Sequence, residues 1–360
     1  MRGTLTLGLW VLLAVPAPSG WALRPQDAPD KPAPVDMARA RELLRKQRSG
    51  EALSPEEAAY LKRAMEERRG AAPPPAAAPR ATTGFKPLDE MGADDRYKGE
   101  DGGLYGGGKN VPPDALRAAA EAELAKTVPL DAAGKPAADG RVVLLSISMS
   151  NATQEFSRFK RIADADPAKS GALTIVDGAQ GGQAMAEWAP PDAPAWAEAE
   201  RRLKAAGVST SQVQLAWIKL ANKGPSGDLA AHVGKLKKDT QAVIRNAKAR
   251  FPNLRIAYLS SRIYGGYAHG NLNPEPYAYE SAFAVRGLVQ EQKEAPLLLW
   301  GPYLWGDGTT PRKSDGLVWT REDLAGDGTH PSESGRDKVA RLLLGFFKSD
   351  PLAKPWFTAR

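Results

Sequence analysis

The chain has 360 residues, of which 42% are hydrophobic and 25% are charged, with a formal net charge of +7 at pH 7. This length allows one large domain or two small ones, and the composition is typical of soluble globular proteins. The Lys and Arg residues are spread along the chain rather than gathered in a stripe, which argues against a nucleic-acid partner. Cysteine is absent from the sequence, so no disulfide framework stabilises the fold.

The first 22 residues resemble a secretory signal peptide. Arg2 is followed by the apolar run 5–16, and Ser19-Gly20-Trp21-Ala22 supplies small residues for cleavage. The run is too short to span a bilayer, which favours a cleaved signal over an uncleaved anchor. We therefore expect an exported protein, periplasmic or extracellular, with no stable membrane span after cleavage.

The next segments predict a small helical appendage. Residues 23–34 are rich in Pro, Ala and Asp and indicate a linker. A helical hairpin is predicted over 35–70, because Ser54-Pro55-Glu56-Glu57 has the residues that start a second helix. The Pro/Ala tract 71–83 predicts a second linker, so that the main domain would cover 84–360.

From Gly140 onward, short apolar runs alternate with helical patterns. This alternation predicts an α/β fold with three layers, in which helices cover both faces of a five-stranded parallel, flavodoxin-like sheet, with a core over 140–348. The predicted strands are 142–147, 173–176, 213–218, 254–259 and 296–300, and the predicted helices begin near Thr153 and cover 195–206, 229–249, 276–292 and 332–347.

Polar residues and glycines follow the first three predicted strands, where the chain must turn. Ser148-Met149-Ser150-Asn151 ends the first strand, residues 177–182 with three glycines end the second, and Asn222 lies shortly after the third. The carboxyl ends of parallel strands share one edge of the sheet, where ligands bind. The sequence therefore predicts a serine hydroxyl, a glycine N–H and an amide side chain at one edge.

The segment Asp327-Gly328-Thr329-His330-Pro331 precedes the last predicted helix and contains one of only three histidines. A carboxylate three residues before His330 can accept its Nδ1 proton, which leaves Nε2 free to act as a base. His232 and His269 have no acid three residues before them and form no metal-ligand pattern with His330. We expect neither a metal nor an organic cofactor.

In their order and context, these residues resemble the SGNH (GDSL-like) hydrolase family over roughly 140–347, most specifically at Asp327 to Pro331 and Gly335. The resemblance implies a Ser150 nucleophile, with His330 as general base and Asp327 orienting it. The oxyanion donors that it implies are the N–H groups of Ser150 and Gly181 and the side chain of Asn222.

The sequence departs from the family pattern in its first block, which usually reads Gly-Asp-Ser and here reads Ser148-Met149-Ser150. Ser148 is therefore an alternative nucleophile, although Ser150 is preferred because it begins the turn. Gly178 is an alternative to Gly181. Each residue also has a structural interpretation, such as a helix N-cap for Ser150 or a turn residue for Asn222.

On this resemblance we expect an exported serine esterase that hydrolyses a small-molecule or glycan carboxylic ester. Six of the nine tryptophans lie between residues 188 and 319. They would suit a carbohydrate O-acetylesterase if they stacked on sugars, although core packing is the favoured interpretation. Arg262 and Tyr264 are weaker candidates for substrate binding, with Glu275 or Glu280 as alternative partners of Arg262.

Two other classes of function stay open. One is a non-catalytic carbohydrate- or envelope-binding protein on a degenerate SGNH scaffold. The other is an O-acyltransferase that uses the same serine and histidine with a sugar hydroxyl in place of water. The sequence predicts neither the natural ester nor the oligomeric state.

Overall fold

The structure, a computed structural model, describes residues 35–48, 52–70, 80–224 and 227–359. The predicted signal peptide 1–22 and the linker 23–34 lie outside the described residues. The chain divides into two compact units, one within residues 1–72 and one within 73–360. In the part of the chain that is described, none of the helices has the length and apolar character needed to cross a bilayer.

The first unit contains two helices, α1 (Met37–Arg48) and α2 (Pro55–Gly70), that pack against each other. Helix α2 begins with a capping box, in which the Ser54 N–H donates to Glu57 Oε2 at 2.9 Å and the Glu57 N–H donates to Ser54 Oγ at 3.2 Å. The small core between the helices consists of Ala40, Leu43, Leu61 and Ala64.

The second unit is built on a five-stranded sheet in the order β2-β1-β3-β4-β5, and every strand pair is parallel. This confirms the predicted α/β class and the flavodoxin-like strand order. Strands β1 and β3 are buried along their whole length, because helices cover both faces of a parallel sheet. The strands are β1 (Val142–Ser148), β2 (Leu173–Val176), β3 (Val213–Lys219), β4 (Ile256–Leu259) and β5 (Leu297–Trp300).

The helices of this unit pack in two main pairs, α4 against α9 and α7 against α8. Right-handed crossovers place these pairs on opposite faces, since the strand order reverses at β1. Helices α3, α5 and α10 were not predicted, because two are single turns and α3 precedes the first strand. The helices are α3 (Asp114–Leu124), α4 (Ser150–Asp164), α5 (Met185–Trp188), α6 (Pro194–Ala205), α7 (Leu229–Arg250), α8 (Tyr277–Glu291), α9 (Glu333–Ser349) and α10 (Lys354–Phe357).

The segment before the sheet is hydrogen-bonded to the segment after β5. The buried Asp307 carboxylate accepts the Thr83 N–H at 2.7 Å, the Gly84 N–H at 3.0 Å and the Thr82 hydroxyl at 2.5 Å. A buried carboxylate requires such donors. Residues 80–83, which the sequence assigned to the linker, are therefore an ordered part of the second unit.

The reversal of strand order leaves a crevice between the carboxyl ends of β1 and β3, where α/β proteins bind ligands. Ser148 at the end of β1 lies in register with Lys219 at the end of β3. The segment that contains Ser150 and the segment that contains Asn222 therefore follow adjacent strands at the same edge of the sheet.

Candidate active site

Ser150 is the first residue of α4 and follows Met149, the N-cap that separates this helix from β1. Its Oγ lies 2.8 Å from Nε2 of His330, within hydrogen-bond distance. Ser150 is half-buried, and the side chain of His330 is 26% exposed. The tight turn from β1 to α4 thus brings the Ser150 hydroxyl to the His330 imidazole, which is 180 residues away in the chain. Both side chains are partly accessible to solvent.

Asp327 holds His330 from the other side. The Asp327 Oδ2 atom lies 2.5 Å from His330 Nδ1, and Oδ1 accepts the N–H groups of Thr329 and His330 at 3.0 Å each. Partial burial acts to raise the pKa of Asp327, but these hydrogen bonds outweigh it and lower the pKa below its ordinary value. An ionised Asp327 fixes the proton on Nδ1 and leaves Nε2 as the acceptor for Ser150.

Gly328 gives the loop its shape. Its φ is +67°, in the left-handed region that favours glycine, and an added Cβ would lie 1.6 Å from the carbonyl oxygen of Tyr267. The neighbouring loop is also hydrogen-bonded to this segment, because the His269 N–H donates to the Asp327 carbonyl at 2.9 Å. Only glycine at position 328 allows the backbone conformation that brings the side chains of Asp327 and His330 together.

Asn151 links the two halves of the site. It is 2% exposed, and its Nδ2 donates to the Thr329 carbonyl at 2.8 Å. Thr329 in turn donates through Oγ1 to the Leu272 carbonyl at 3.1 Å. The residue after Ser150 therefore holds the residue before His330. Sequence reasoning gave Asn151 no role, and its position beside Ser150 was the one available signal.

Ser148, the alternative nucleophile, is occupied elsewhere. It is fully buried, and its hydroxyl donates to the Lys219 carbonyl on the adjacent strand β3. Its own carbonyl accepts the indole N–H of Trp188 at 3.2 Å. A hydroxyl in this environment has no path to a substrate, so the structure contradicts the Ser148 alternative.

The two glycine candidates also differ. The Gly178 N–H donates to Ser146 Oγ at 3.0 Å, and an added Cβ on Gly178 would lie 2.5 Å from the Ser146 carbonyl oxygen. Gly178 is therefore required for close backbone packing beside β1. The Gly181 N–H makes no hydrogen bond within the described chain, and an added Cβ would meet open space. Of the two, Gly181 has the free donor.

Asn222 lies past the end of β3 and is 8% exposed. Its Nδ2 is buried and has no hydrogen-bond partner among the described residues. A buried amide donor without a partner is costly, and such groups in native folds often serve a ligand. The free donors of Gly181 and Asn222 thus follow β2 and β3, the two neighbours of the strand that leads to Ser150.

Asp177 fixes the turn that contains Gly181, since its Oδ1 accepts the Ser146 hydroxyl at 2.8 Å and the Ala179 N–H at 3.1 Å. Burial raises the pKa of Asp177 to about 6, against an ordinary 3.8. Folding therefore favours the protonated carboxyl of Asp177. The stability that this group contributes is fully present below pH 3.8 and is lost as the pH rises through about 6, where the buried carboxyl becomes charged.

Asp177→Asn keeps the Oδ1 acceptor without the charge. We expect this variant to match the wild type in urea unfolding near pH 3.5 and to be more stable by about 1 to 3 kcal/mol at pH 7.5. If the difference in unfolding free energy between Asp177→Asn and the wild type were the same at pH 3.5 and pH 7.5, the Asp177 charge would not be the cause of the effect.

Burial argues against direct substrate contact by Tyr264 and agrees with the core-packing interpretation of the tryptophans. Tyr264 is 1% exposed, and its hydroxyl donates to the Arg80 carbonyl at 2.6 Å. The physical reason is the ordered segment from Arg80 onward, which lies over this loop. The six tryptophans between 188 and 319 are likewise buried in the core, namely Trp188, Trp196, Trp217, Trp300, Trp305 and Trp319.

Arg262 is 2% exposed and pairs with neither of the two glutamates suggested for it. The Glu275 carboxylate accepts the N–H groups of Gly265, Tyr279 and Trp305, whereas Glu280 binds Lys98 at 2.7 Å. Substrate contact at an exposed pocket wall, as predicted from the sequence, is thus inconsistent with this burial.

A fully buried ion pair joins α4 to β3. Lys219 Nζ is 2.5 Å from Glu155 Oε2, and both side chains are 0% exposed. Glu155 is on α4, one turn after Asn151, and Lys219 is the last residue of β3, so the pair connects the helix that begins with Ser150 to this strand. Neither residue had a role in the sequence-based prediction, because the pattern around Glu155 is also that of an exposed helix.

No protein-family model matches this chain, and the curated proteins contain no match. A Bacillus subtilis protein of known structure is 14% identical, with a TM-score of 0.36. The similarity covers 61% of this chain and 59% of that protein's chain. A proposed acylhydrolase from Bacteroides fragilis is 13% identical, with a TM-score of 0.33 over 65% of this chain and 97% of its own. The periplasmic domain of a lipopolysaccharide acetyltransferase from Salmonella Paratyphi A is 14% identical, with a TM-score of 0.30 over 64% and 95%. At these identities and TM-scores, none of the similarities assigns an activity or a family to this chain.

Proposed function

We propose that this protein is an exported serine esterase of the SGNH type that hydrolyses carboxylic esters, with glycan O-acetyl esters among its substrates. The hydrogen-bonded chain Ser150–His330–Asp327, with distances of 2.8 and 2.5 Å, carries the proposal. A serine, an imidazole acceptor and an orienting carboxylate in this order are the elements of nucleophilic acyl transfer.

The mechanism follows from these contacts. Ser150 Oγ attacks the ester carbonyl carbon while His330 Nε2 takes the hydroxyl proton. The N–H groups of Ser150 and Gly181 and the Asn222 amide stabilise the negative oxygen of the tetrahedral intermediate. The intermediate collapses to an acyl-enzyme, and the leaving alcohol takes the proton from His330. Water, deprotonated by His330, then attacks the acyl group and releases the acid and free Ser150.

The contacts of Ser150 and His330 favour an enzyme rather than a non-catalytic binding protein on a degenerate scaffold. The His330 Nε2 lone pair is directed at a serine hydroxyl, and the unpartnered donors of Gly181 and Asn222 remain available. An unpaired buried amide donor suits a bound ligand as well as an oxyanion, so it is the imidazole acceptor on the serine hydroxyl that distinguishes catalysis from binding. The missing aspartate of the usual first block does not belong to this hydrogen-bonded chain. An O-acyltransferase would use the same acyl-enzyme with an alcohol in place of water.

Labelling with a fluorophosphonate, which modifies activated serines, tests the nucleophile. We expect the wild type to be labelled and Ser150→Ala to be unlabelled. Ser157→Ala is a matched control, because Ser157 is an exposed serine on the same helix, and this variant should be labelled at the wild-type rate. A wild type that resists labelling, or a labelled Ser150→Ala, would contradict the proposal. Hydrolysis is distinguished from transfer by acetate release from an acetylated glycan with and without an added sugar acceptor.

A further inference from the structure

Arg262 is a buried cation without a carboxylate partner at ion-pair distance among the described residues. It follows β4 and is 2% exposed, and its Nε makes no hydrogen bond within the described chain. One guanidinium nitrogen, Nη1, lies 4.0 Å from the sulfur of Met149, the residue immediately before Ser150. A guanidinium is thus buried against the turn that presents the candidate nucleophile.

The neighbouring buried charges compensate Arg262 only in part. Lys219 and Glu155 form a pair at 2.5 Å, so one positive and one negative charge compensate each other. Burial lowers the pKa of Arg262 to about 10, while Glu155 and Glu275 act to raise it, and the group remains charged at neutral pH. Burial raises the pKa of Glu275 to about 7, so this carboxylate is only partly ionised at neutral pH, and its hydrogen bonds go to other donors rather than to Arg262.

Such an arrangement has a cost that the rest of the fold must offset. An incompletely paired charge inside a protein is disfavoured by desolvation, typically by several kcal/mol. The same low dielectric makes the field of that charge strong at nearby atoms. A negative charge that develops close to Met149 and Ser150 is therefore stabilised by Arg262 without contact.

Building on the proposed function, we infer that Arg262 stabilises the oxyanion formed on the substrate when Ser150 attacks. Arg262 is a positioning residue in this scheme, because it touches neither the substrate nor a reacting atom. The direct oxyanion donors remain the N–H groups and the Asn222 amide. Arg262 supplies the background field, which acts more strongly on the charged intermediate than on the neutral ester.

The inference differs from a direct contact between Arg262 and an acidic group of the substrate. A direct contact would affect anionic substrates alone and would change KM. A field effect on the oxyanion changes kcat for every ester, including neutral ones. A small neutral ester such as 4-nitrophenyl acetate therefore separates the two roles.

The experiment compares Arg262→Met, which removes the charge, with Arg262→Lys, which keeps it. For 4-nitrophenyl acetate we expect Arg262→Met to lower kcat about 10- to 100-fold, with KM changed less than about 2-fold. Because a buried lysine loses its proton more readily than an arginine, Arg262→Lys should recover kcat to within about 3-fold of the wild type near pH 6.5 and fall towards Arg262→Met near pH 8.5, each relative to the wild type at the same pH. Titration of active serines with the fluorophosphonate normalises each kcat to the folded, competent enzyme.

Equal losses of normalised kcat in the Met and Lys variants at both pH values would indicate a packing role and overturn the inference. A wild-type kcat in Arg262→Met would overturn it as well, as would an effect confined to KM. These outcomes are distinct from failure of the proposed function, in which the wild type itself is neither labelled nor active.

Discussion

Replacing His330 with alanine is expected to lower kcat for ester hydrolysis by about a thousandfold or more and to leave KM nearly unchanged. Without the imidazole, Ser150 loses the acceptor that lies 2.8 Å from its hydroxyl, so attack requires a neutral alcohol. Steady-state kinetics on 4-nitrophenyl acetate at pH 7.5 measures the loss. His269→Ala is the matched control, since His269 is exposed and contributes its backbone N–H to the loop.

The double variant Ser150→Ala/His330→Ala sharpens this test. Residues that act as one unit give strongly non-additive losses, so the double variant should be about as active as either single variant. Multiplicative losses would mean that Ser150 and His330 act separately and that the hydrogen bond between them is not catalytic.

The largest expected effect on stability is that of Lys219→Met. This change leaves the Glu155 carboxylate without its Lys219 partner in an environment where both side chains are 0% exposed. Breaking a buried ion pair in this way typically costs about 3 to 5 kcal/mol. We expect a loss of that size in the free energy of unfolding, measured by urea denaturation at pH 7.

The double variant Lys219→Met/Glu155→Leu should recover most of the loss, because no carboxylate then remains to be desolvated. Lys160→Ala is a control on the same helix, where Lys160 pairs with Asp164 at the surface. Its cost should be below about 1 kcal/mol. A Lys219→Met variant as stable as Lys160→Ala would show that the buried pair contributes little.

Local sequence patterns determined much of the architecture. The apolar runs placed all five strands to within about two residues of their observed bounds, because a strand covered on both faces must be apolar throughout. The pairing of Asp327 with His330 was equally local, since three residues separate the two side chains. The association of His330 with Ser150 was implied by the resemblance to the SGNH family rather than by either residue alone.

Other features depend on contacts that a local pattern does not contain. The burial of Tyr264 requires the segment at Arg80, which is 184 residues earlier in the chain. Glu155 and Lys219 lie in segments that separately suggest an exposed helix face and the end of a strand, and only the packed fold shows that they meet. The sequence does not distinguish the N–H of Gly181 from that of Gly178, because the hydrogen bond from the Gly178 N–H to Ser146 joins two different strand ends.

The separation of 180 residues between Ser150 and His330 also affects when the site can exist. At about 5 to 20 residues per second, a ribosome needs roughly 10 to 35 s to extend the chain from the serine to the histidine. Asn151 meets the Thr329 carbonyl only after that interval, once α9 has docked on α4. Ser150 therefore lacks its hydrogen-bonded partner until the segment that contains His330 has been synthesised.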